Sequence, residues 1–298
     1  MQTDPTMKLI ATSLLIIAGI LPACSSIAQT ENATIIPHAS RVYARVGLGY
    51  GFVHAAQTEL NGGGIDGSAT LTGNVYSKQL KPASFGSGLA ATIAGGYMIT
   101  PHIGVELGVQ AILAPSKYTY SDYVPGFGTS RRYTVETYAK APIYLLPAVL
   151  LTTGNKLQLY GRAALVVPLS DKMAQEETRT GTGPGQTNQV FTRAIENHFS
   201  IGFQGAAGVA YMFSQHFSAW GEVGAITRNA YMKRSEITAY TEDGQDALGS
   251  YSTNQKVTEY EFNYNADSQP SASEPDMQST FSVPFSSFGF TLGLKYSF

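Results

Sequence analysis

The sequence predicts an all-β fold, a transmembrane antiparallel up-and-down β-barrel of about eight strands, on three observations. Apolar residues recur at every second position in segment after segment. The composition is poor in charge yet neutral in mean hydropathy, and short turns alternate with long polar connections. The last nine residues, FTLGLKYSF, show the first observation plainly: Phe290, Leu292, Leu294, Tyr296 and Phe298 share one parity, and Thr291, Gly293, Lys295 and Ser297 share the other. Period two belongs to a strand with one apolar and one polar face.

Composition narrows the class. Charged residues make up 13% of the 298-residue chain, about half the ~25% of an ordinary soluble domain. Mean hydropathy is nevertheless only -0.05, far from that of a helical membrane protein. Lipid-facing and lumen-facing residues of a membrane barrel average out in this way, and 31 glycines and 18 tyrosines suit one. A net charge of -2 gives no support to nucleic-acid binding.

The N-terminus reads as a secretory signal peptide over residues 1–28. Met7-Lys8 opens a short basic region and is the expected translation start, LIATSLLIIAGI at 9–20 is the apolar core, and Ser26-Ile27-Ala28 offers a small-x-small cleavage site. That core is shorter than the ~20 residues of a membrane helix. LPAC at 21–24 looks like a lipobox that would acylate Cys24, but Pro22 stands where such motifs carry a small or β-branched residue. Removal of Cys24 with the signal is therefore expected, leaving a mature chain without cysteine. Residues 29–40 are expected to form a periplasmic N-terminal segment and 41–298 the barrel.

Alternation places the strands in order. It runs from Val42 to Phe52, from Leu89 to Tyr97, from Ile103 to Ala111, from about Arg132 to Leu151, from Leu157 to Val167, from Phe199 to Phe213, from Phe217 to Ala225, and through the C-terminal segment. Short turns fall at Thr100-Pro101-His102, Thr153-Gly154-Asn155-Lys156 and Ser214-Gln215-His216, whereas roughly 56–84, 119–131, 170–196 and 235–279 are long and polar. Short turns at one end and long loops at the other are the asymmetry of an outer-membrane barrel, with turns periplasmic and loops outside. Pro142, Pro147, Pro168 and Pro284 fall in or near strands that leave no free edge for a missing N–H. The first two are expected to mark a bulge or frayed end of strand four.

The alternating C-terminus ending in Phe298, with Tyr296 before it, resembles the signal by which bacterial outer-membrane barrels are recognised for insertion. Over the whole mature chain the pattern resembles the small OmpA/OmpX/OmpW-type outer-membrane barrels. That resemblance implies localisation in the outer membrane of a Gram-negative-type bacterium, contact with its lipid and lipopolysaccharide, handling by the barrel-assembly machinery, and a monomer.

Inward parity puts Arg45, Glu106, Arg162 and Glu222 at similar depth above the turn end, with alternating signs, and Lys295 in the same layer. A ring of interior ion pairs is expected there, because an eight-stranded interior is just wide enough for side chains and a buried charge without a partner is costly. The alternative is that these charges line a wet lumen unpaired. Lys140, Gln204 and Arg228 point inward higher up on the same parity.

Catalysis has one candidate. His198-Phe199-Ser200 puts a base and a nucleophile on one strand face and resembles the pair of outer-membrane lipid A deacylases, but parity turns both inward and Glu222 lies too far down to orient the histidine. No enzyme activity and no cofactor are expected. His38, His54, His102, His198 and His216 are scattered, without zinc-site spacing, and Trp220 reads as a lumen filler or interfacial anchor.

Binding is expected in the external loops. From Glu236 to Asp276 nine acidic residues face one basic residue, Lys256, interleaved with Tyr240, Tyr251, Tyr260, Phe262 and Tyr264. Such a loop suits simple solvation, a divalent cation, or an extracellular protein, and VTEYEFNY at 257–264 would offer an edge for β-augmentation. The sequence therefore favours a structural or binding barrel with a plugged lumen. A narrow passive pore for small or hydrophobic solutes is the alternative.

Overall fold

The computed structural model describes residues 41–53, 59–60, 63–64, 67–72, 75–125, 130–264 and 270–298. The predicted signal peptide, Cys24, the 29–40 segment, His38 and His54 lie outside the described residues.

Eight strands close into an antiparallel barrel: β1 (Val42–Val53), β2 (Gly88–Met98), β3 (Ile103–Pro115), β4 (Ile143–Thr153), β5 (Leu157–Ser170), β6 (Gly202–Met212), β7 (Phe217–Thr227) and β8 (Ser287–Ser297). Each pairs with its sequence neighbour, and β8 pairs with β1 from Tyr43↔Ser297 to Val53↔Ser287. Closure leaves no strand edge in hydrocarbon. The apolar parity faces outward throughout, with Leu48, Ile93, Leu107, Phe203 and Leu292 each at least 56% exposed. Those side chains are the lipid contact.

Three hairpins end the barrel at the periplasmic side. In the first, the amides of Ile99 and Thr100 donate to the Ile103 carbonyl at 2.9 and 3.0 Å. Gly154 takes a φ of 90° in the second, a backbone that favours glycine.

At the opposite end the structure departs from the sequence expectation. The long connections form a second sheet, because most barrel strands break and continue outward as Lys117–Pro125, Ser130–Ala139, Met173–Thr182, Gln189–His198, Asn229–Glu242 and Ser282–Pro284. The hairpin of Gly67–Thr72 and Val75–Leu80 joins this collar by parallel pairing with Lys117–Pro125. Polar composition hid these strands, since on the outer face of a collar polar residues are what water selects. An apolar core fills the inside, built from Phe85, Tyr118, Met173, Ile195, Met232 and Phe285 among others.

The strand expected over 132–151 is accordingly two strands. Ala139 is the last residue of one, Ala141 turns the chain with a φ of 43°, and Pro142 precedes β4. Pro147 sits within β4: it pairs with Leu107 of β3, while toward β5 the ladder steps from Leu145↔Val167 to Ala148↔Ala164. Pro168 lies opposite Tyr144, beside a register shift, and Pro284 ends a collar strand against Asn229.

Leu48 lies near the middle of β1, and its replacement by arginine is expected to lower stability in lipid vesicles by about 2–4 kcal/mol. Urea unfolding of the membrane-inserted protein measures this.

Candidate functional site

Alternation on four strands carries Arg45, Glu106, Arg162 and Glu222 into the lumen at one level. Arg45 Nη2 lies 2.7 Å from Glu106 Oε1, and Arg45 Nη1 lies 3.3 Å from Glu222 Oε2. Arg162 Nη2 lies 2.7 Å from Glu222 Oε1 and its Nη1 lies 3.9 Å from Glu106 Oε1. Each arginine therefore meets both glutamates, in a closed circuit of net charge zero. All four residues are buried. Charges taken this far from water persist only with such partners.

Aromatic residues complete the layer. Tyr43 donates to Glu106 at 3.2 Å and Tyr160 to Glu222 at 3.2 Å. Trp220 stacks beneath the Arg45 guanidinium, 4.5 Å from ring to Cζ, so it is a lumen filler. Its indole fits because Gly47 and Gly293, paired across β1 and β8, have no side chains there: a Cβ at either would stand within 2.7 Å of the ring. Both tyrosines share the inward parity of the arginine two positions further along, so the sequence carried the signal for them.

Lys295 differs from expectation. Its Cα lies opposite Arg45, but its ammonium rests 4.5 Å from the Tyr43 ring. Among the described residues it makes no ion pair, since two guanidiniums already occupy the two carboxylates.

Above the ring, Gln110, Gln204 and Thr291 border a chamber of about 40 Å³, room for roughly one water. Beyond it the lumen is apolar, packed by Ile112, Tyr144, Leu146, Val166 and Ile226. Where β7 leaves the membrane, Arg228 is 1% exposed and pairs with Asp171, and its Nε donates to the Ser200 carbonyl at 3.1 Å. Phe285 and Tyr144 flank that guanidinium at 4.9 and 5.8 Å. Asp171 lies in what read as a polar loop, and no sequence pattern pointed to it.

Lys140 is not a lumen residue. It is exposed at the break before β4, where the buried Ala139 takes the inward position. Tyr296 and Phe298, expected to form a C-terminal insertion signal, face lipid: Tyr296 packs 5.0 Å from Phe217 and 5.1 Å from Phe298, whose amide donates to the Val42 carbonyl at 3.2 Å.

His198 and Ser200 are not hydrogen-bonded to each other. His198 Nε2 lies 3.2 Å from the Tyr260 carbonyl, and Ser200 Oγ is buried without a hydrogen-bond partner among the described residues. His102 and His216 contact the Thr152 and Ser297 carbonyls at 3.1 and 2.8 Å. Among the described residues no group of three or more His, Cys, Asp or Glu side chains converges.

The acidic segment is also more structured than its composition implied. Tyr240 and Tyr260 are core residues, and Tyr251 packs against Phe191 and Tyr240, leaving Phe262 and Tyr264 on the surface. Burial pushes the Tyr240 phenol up to about 12. Hydrogen bonds from Thr187 and Gln189 hold the Glu242 carboxyl below its usual range. Val257–Glu261 is no free edge: it pairs with Arg234–Glu236 on one side and in parallel with Asp276–Ser279 on the other.

The family described as outer membrane protein beta-barrel domain matches residues 18–247. No curated protein matches the chain. Solved structures similar to it include the outer membrane protein OprG of Pseudomonas aeruginosa, at 13% identity and a TM-score of 0.41, covering 87% of this chain and 96% of OprG. Ail, the attachment invasion locus protein of Yersinia pestis, is similar at 8% identity and 0.30, covering 88% and 100%. CarO2 of Acinetobacter baumannii is similar at 14% identity and 0.31, covering 86% and 98%.

Replacing Glu222 with methionine leaves two buried guanidiniums short of a partner and is expected to lower stability by about 3–5 kcal/mol. Adding Arg162→Met is expected to restore part of the loss, because the second charge goes with the first. Urea unfolding of the single and double variants tests the pair.

Proposed function

Because the chain belongs to the outer membrane protein β-barrel family, we propose that it is a sealed barrel with a structural or binding role, presenting its collar outside the cell. The observation that carries this reading is the filled lumen: the ion-pair ring, the apolar layer around Leu146 and Val166, and the Arg228–Asp171 pair follow one another along the axis. A passive pore would need a path past all three. The inward width of eight strands leaves none to spare.

Binding then belongs to the collar. Tyr231 and Phe262, their rings 5.3 Å apart, stand on its surface with Tyr264, at 37%, 61% and 36% exposure. Exposed aromatics beside Arg234, Glu236 and Glu259 form the mixed apolar and charged surface that an extracellular protein partner engages. The lipid-facing Tyr296 and Phe298 are the residues we assign to recognition by the barrel-assembly machinery.

The refolded protein in planar bilayers is expected to show no steady single-channel conductance. A stable conductance would replace this reading with a narrow pore. Substituting Phe298 with serine is expected to reduce the heat-modifiable, folded fraction in outer-membrane preparations several-fold, and an unchanged fraction would remove the role given to that residue.

A further inference from the structure

Above β6 and β7 the collar carries an aromatic cluster on its outer surface. Phe262 is 61% exposed, nearly as much as the lipid-facing Phe203 at 65%. Its ring lies 5.3 Å from Tyr231 and 5.1 Å from His198. Phe199 follows His198 directly and, at 69% exposure, begins the outward row of Phe199, Ile201 and Phe203 on the lipid face. One apolar surface therefore continues from the membrane into the collar on this side. A soluble partner could cover only its upper part.

Two exposed charges beside the cluster make no ion pair among the described residues. They are Lys233, two positions beyond Tyr231, and Glu261, one position before Phe262. Their neighbour Arg234 instead holds Glu236 and Glu259, at 3.1 and 3.4 Å. Thr280 fixes the level of both free charges: its amide donates to the Glu261 carbonyl at 2.9 Å and its hydroxyl to the Met232 carbonyl at 2.6 Å. Lys233, next to Met232, thus stands at much the same height above the membrane as Glu261.

Two copies in one membrane cross it in the same direction, so a two-fold axis relating them must run along the membrane normal. Such an axis keeps every residue at its own height and brings one surface against itself. Lys233 of one copy then meets Glu261 of the other, and the reverse pair forms with it. Below, Gly205 and Ala207 on β6 and Ala219 on β7 lie on the outward parity, and their small size lets two barrels approach.

We propose that this surface is the interface of a homodimer, with Tyr231 and Phe262 at its centre and reciprocal Lys233–Glu261 pairs across it. The inference rests on the reading of this surface as one that binds protein, and it makes the collar of a second copy the partner, in place of the monomer that the family resemblance implies. An anionic headgroup would answer only Lys233. A second copy answers both charges and follows the apolar surface down into the membrane.

The test uses the refolded mature chain in phosphatidylcholine vesicles. Donor and acceptor dyes are attached through Gln215→Cys, on the periplasmic turn between β6 and β7. Wild type is expected to show energy transfer that survives dilution with lipid. Tyr231→Ser/Phe262→Ser is expected to weaken association by at least about tenfold. Lys233→Glu and Glu261→Lys each set like charges face to face twice, and each is expected to weaken self-association about tenfold at low salt. An equimolar mixture of these two variants is expected to recover wild-type transfer, because each carries the complement of the other.

Transfer in wild type no greater than random encounter gives overturns the dimer, and leaves the surface free for a different extracellular protein. Transfer in Tyr231→Ser/Phe262→Ser equal to that of wild type overturns this face as the interface. A mixture no better than either charge variant alone overturns the reciprocal pairing, with heat-modifiable migration checking that both variants are folded. Conductance of the same preparations reads the sealed lumen separately, so that reading can fail while the dimer stands.

Discussion

Hydrocarbon offers no partner for a backbone N–H or C=O, and the remaining features of this protein follow from satisfying that demand. The β1–β8 ladder closes the sheet, and the chain ends with the Phe298 amide held by Val42 at the bottom of the first strand. Apolar side chains then take the outward parity on every strand. Pro147 brings no amide to a wall with no free edge. The ladder toward β3 runs through it, and the ladder toward β5 resumes at Ala148.

Closure with eight strands also sets the width of the interior, which is narrow enough for side chains to cross it. Arginines from β1 and β5 reach glutamates on β3 and β7 directly, without intervening solvent. Large rings fit beside them only where an opposing residue is glycine, as Gly47 and Gly293 are for Trp220. A buried ion pair is weak evidence for stability. Here it also specifies register, since a one-residue slip of any of the four strands would send its charge into lipid.

Outside the membrane the constraint relaxes and the strands change their partners' surroundings. Breaks at Ser116, Lys140 to Pro142 and Asp171 to Lys172 let the sheet bend into a collar with an apolar core of its own. Arg228 and Asp171 lie at that bend, between the core of the barrel and the core of the collar. The surface left over is mixed, with aromatic residues and lysines at different heights above the lipid.

Period-two alternation, low charge and unequal connections determined the barrel, its lipid face and its orientation from the sequence, because in a half-buried strand parity alone decides which environment a side chain meets. Parity likewise brought Arg45, Glu106, Arg162 and Glu222 to one level. The collar was illegible for the opposite reason: outside the membrane no lipid imposes an apolar outer face on its strands, so Met173–Thr182 and Ser130–Ala139 read as loop or as part of a longer strand. Lys295 and Lys140 show the same limit at single residues. A parity assigns a side to a side chain, but whether Lys295 meets a carboxylate or the Tyr43 ring depends on which partners are already taken. Whether Lys140 faces the lumen at all depends on a backbone turn at Ala141, and such choices among long-range neighbours are made only when the chain is folded.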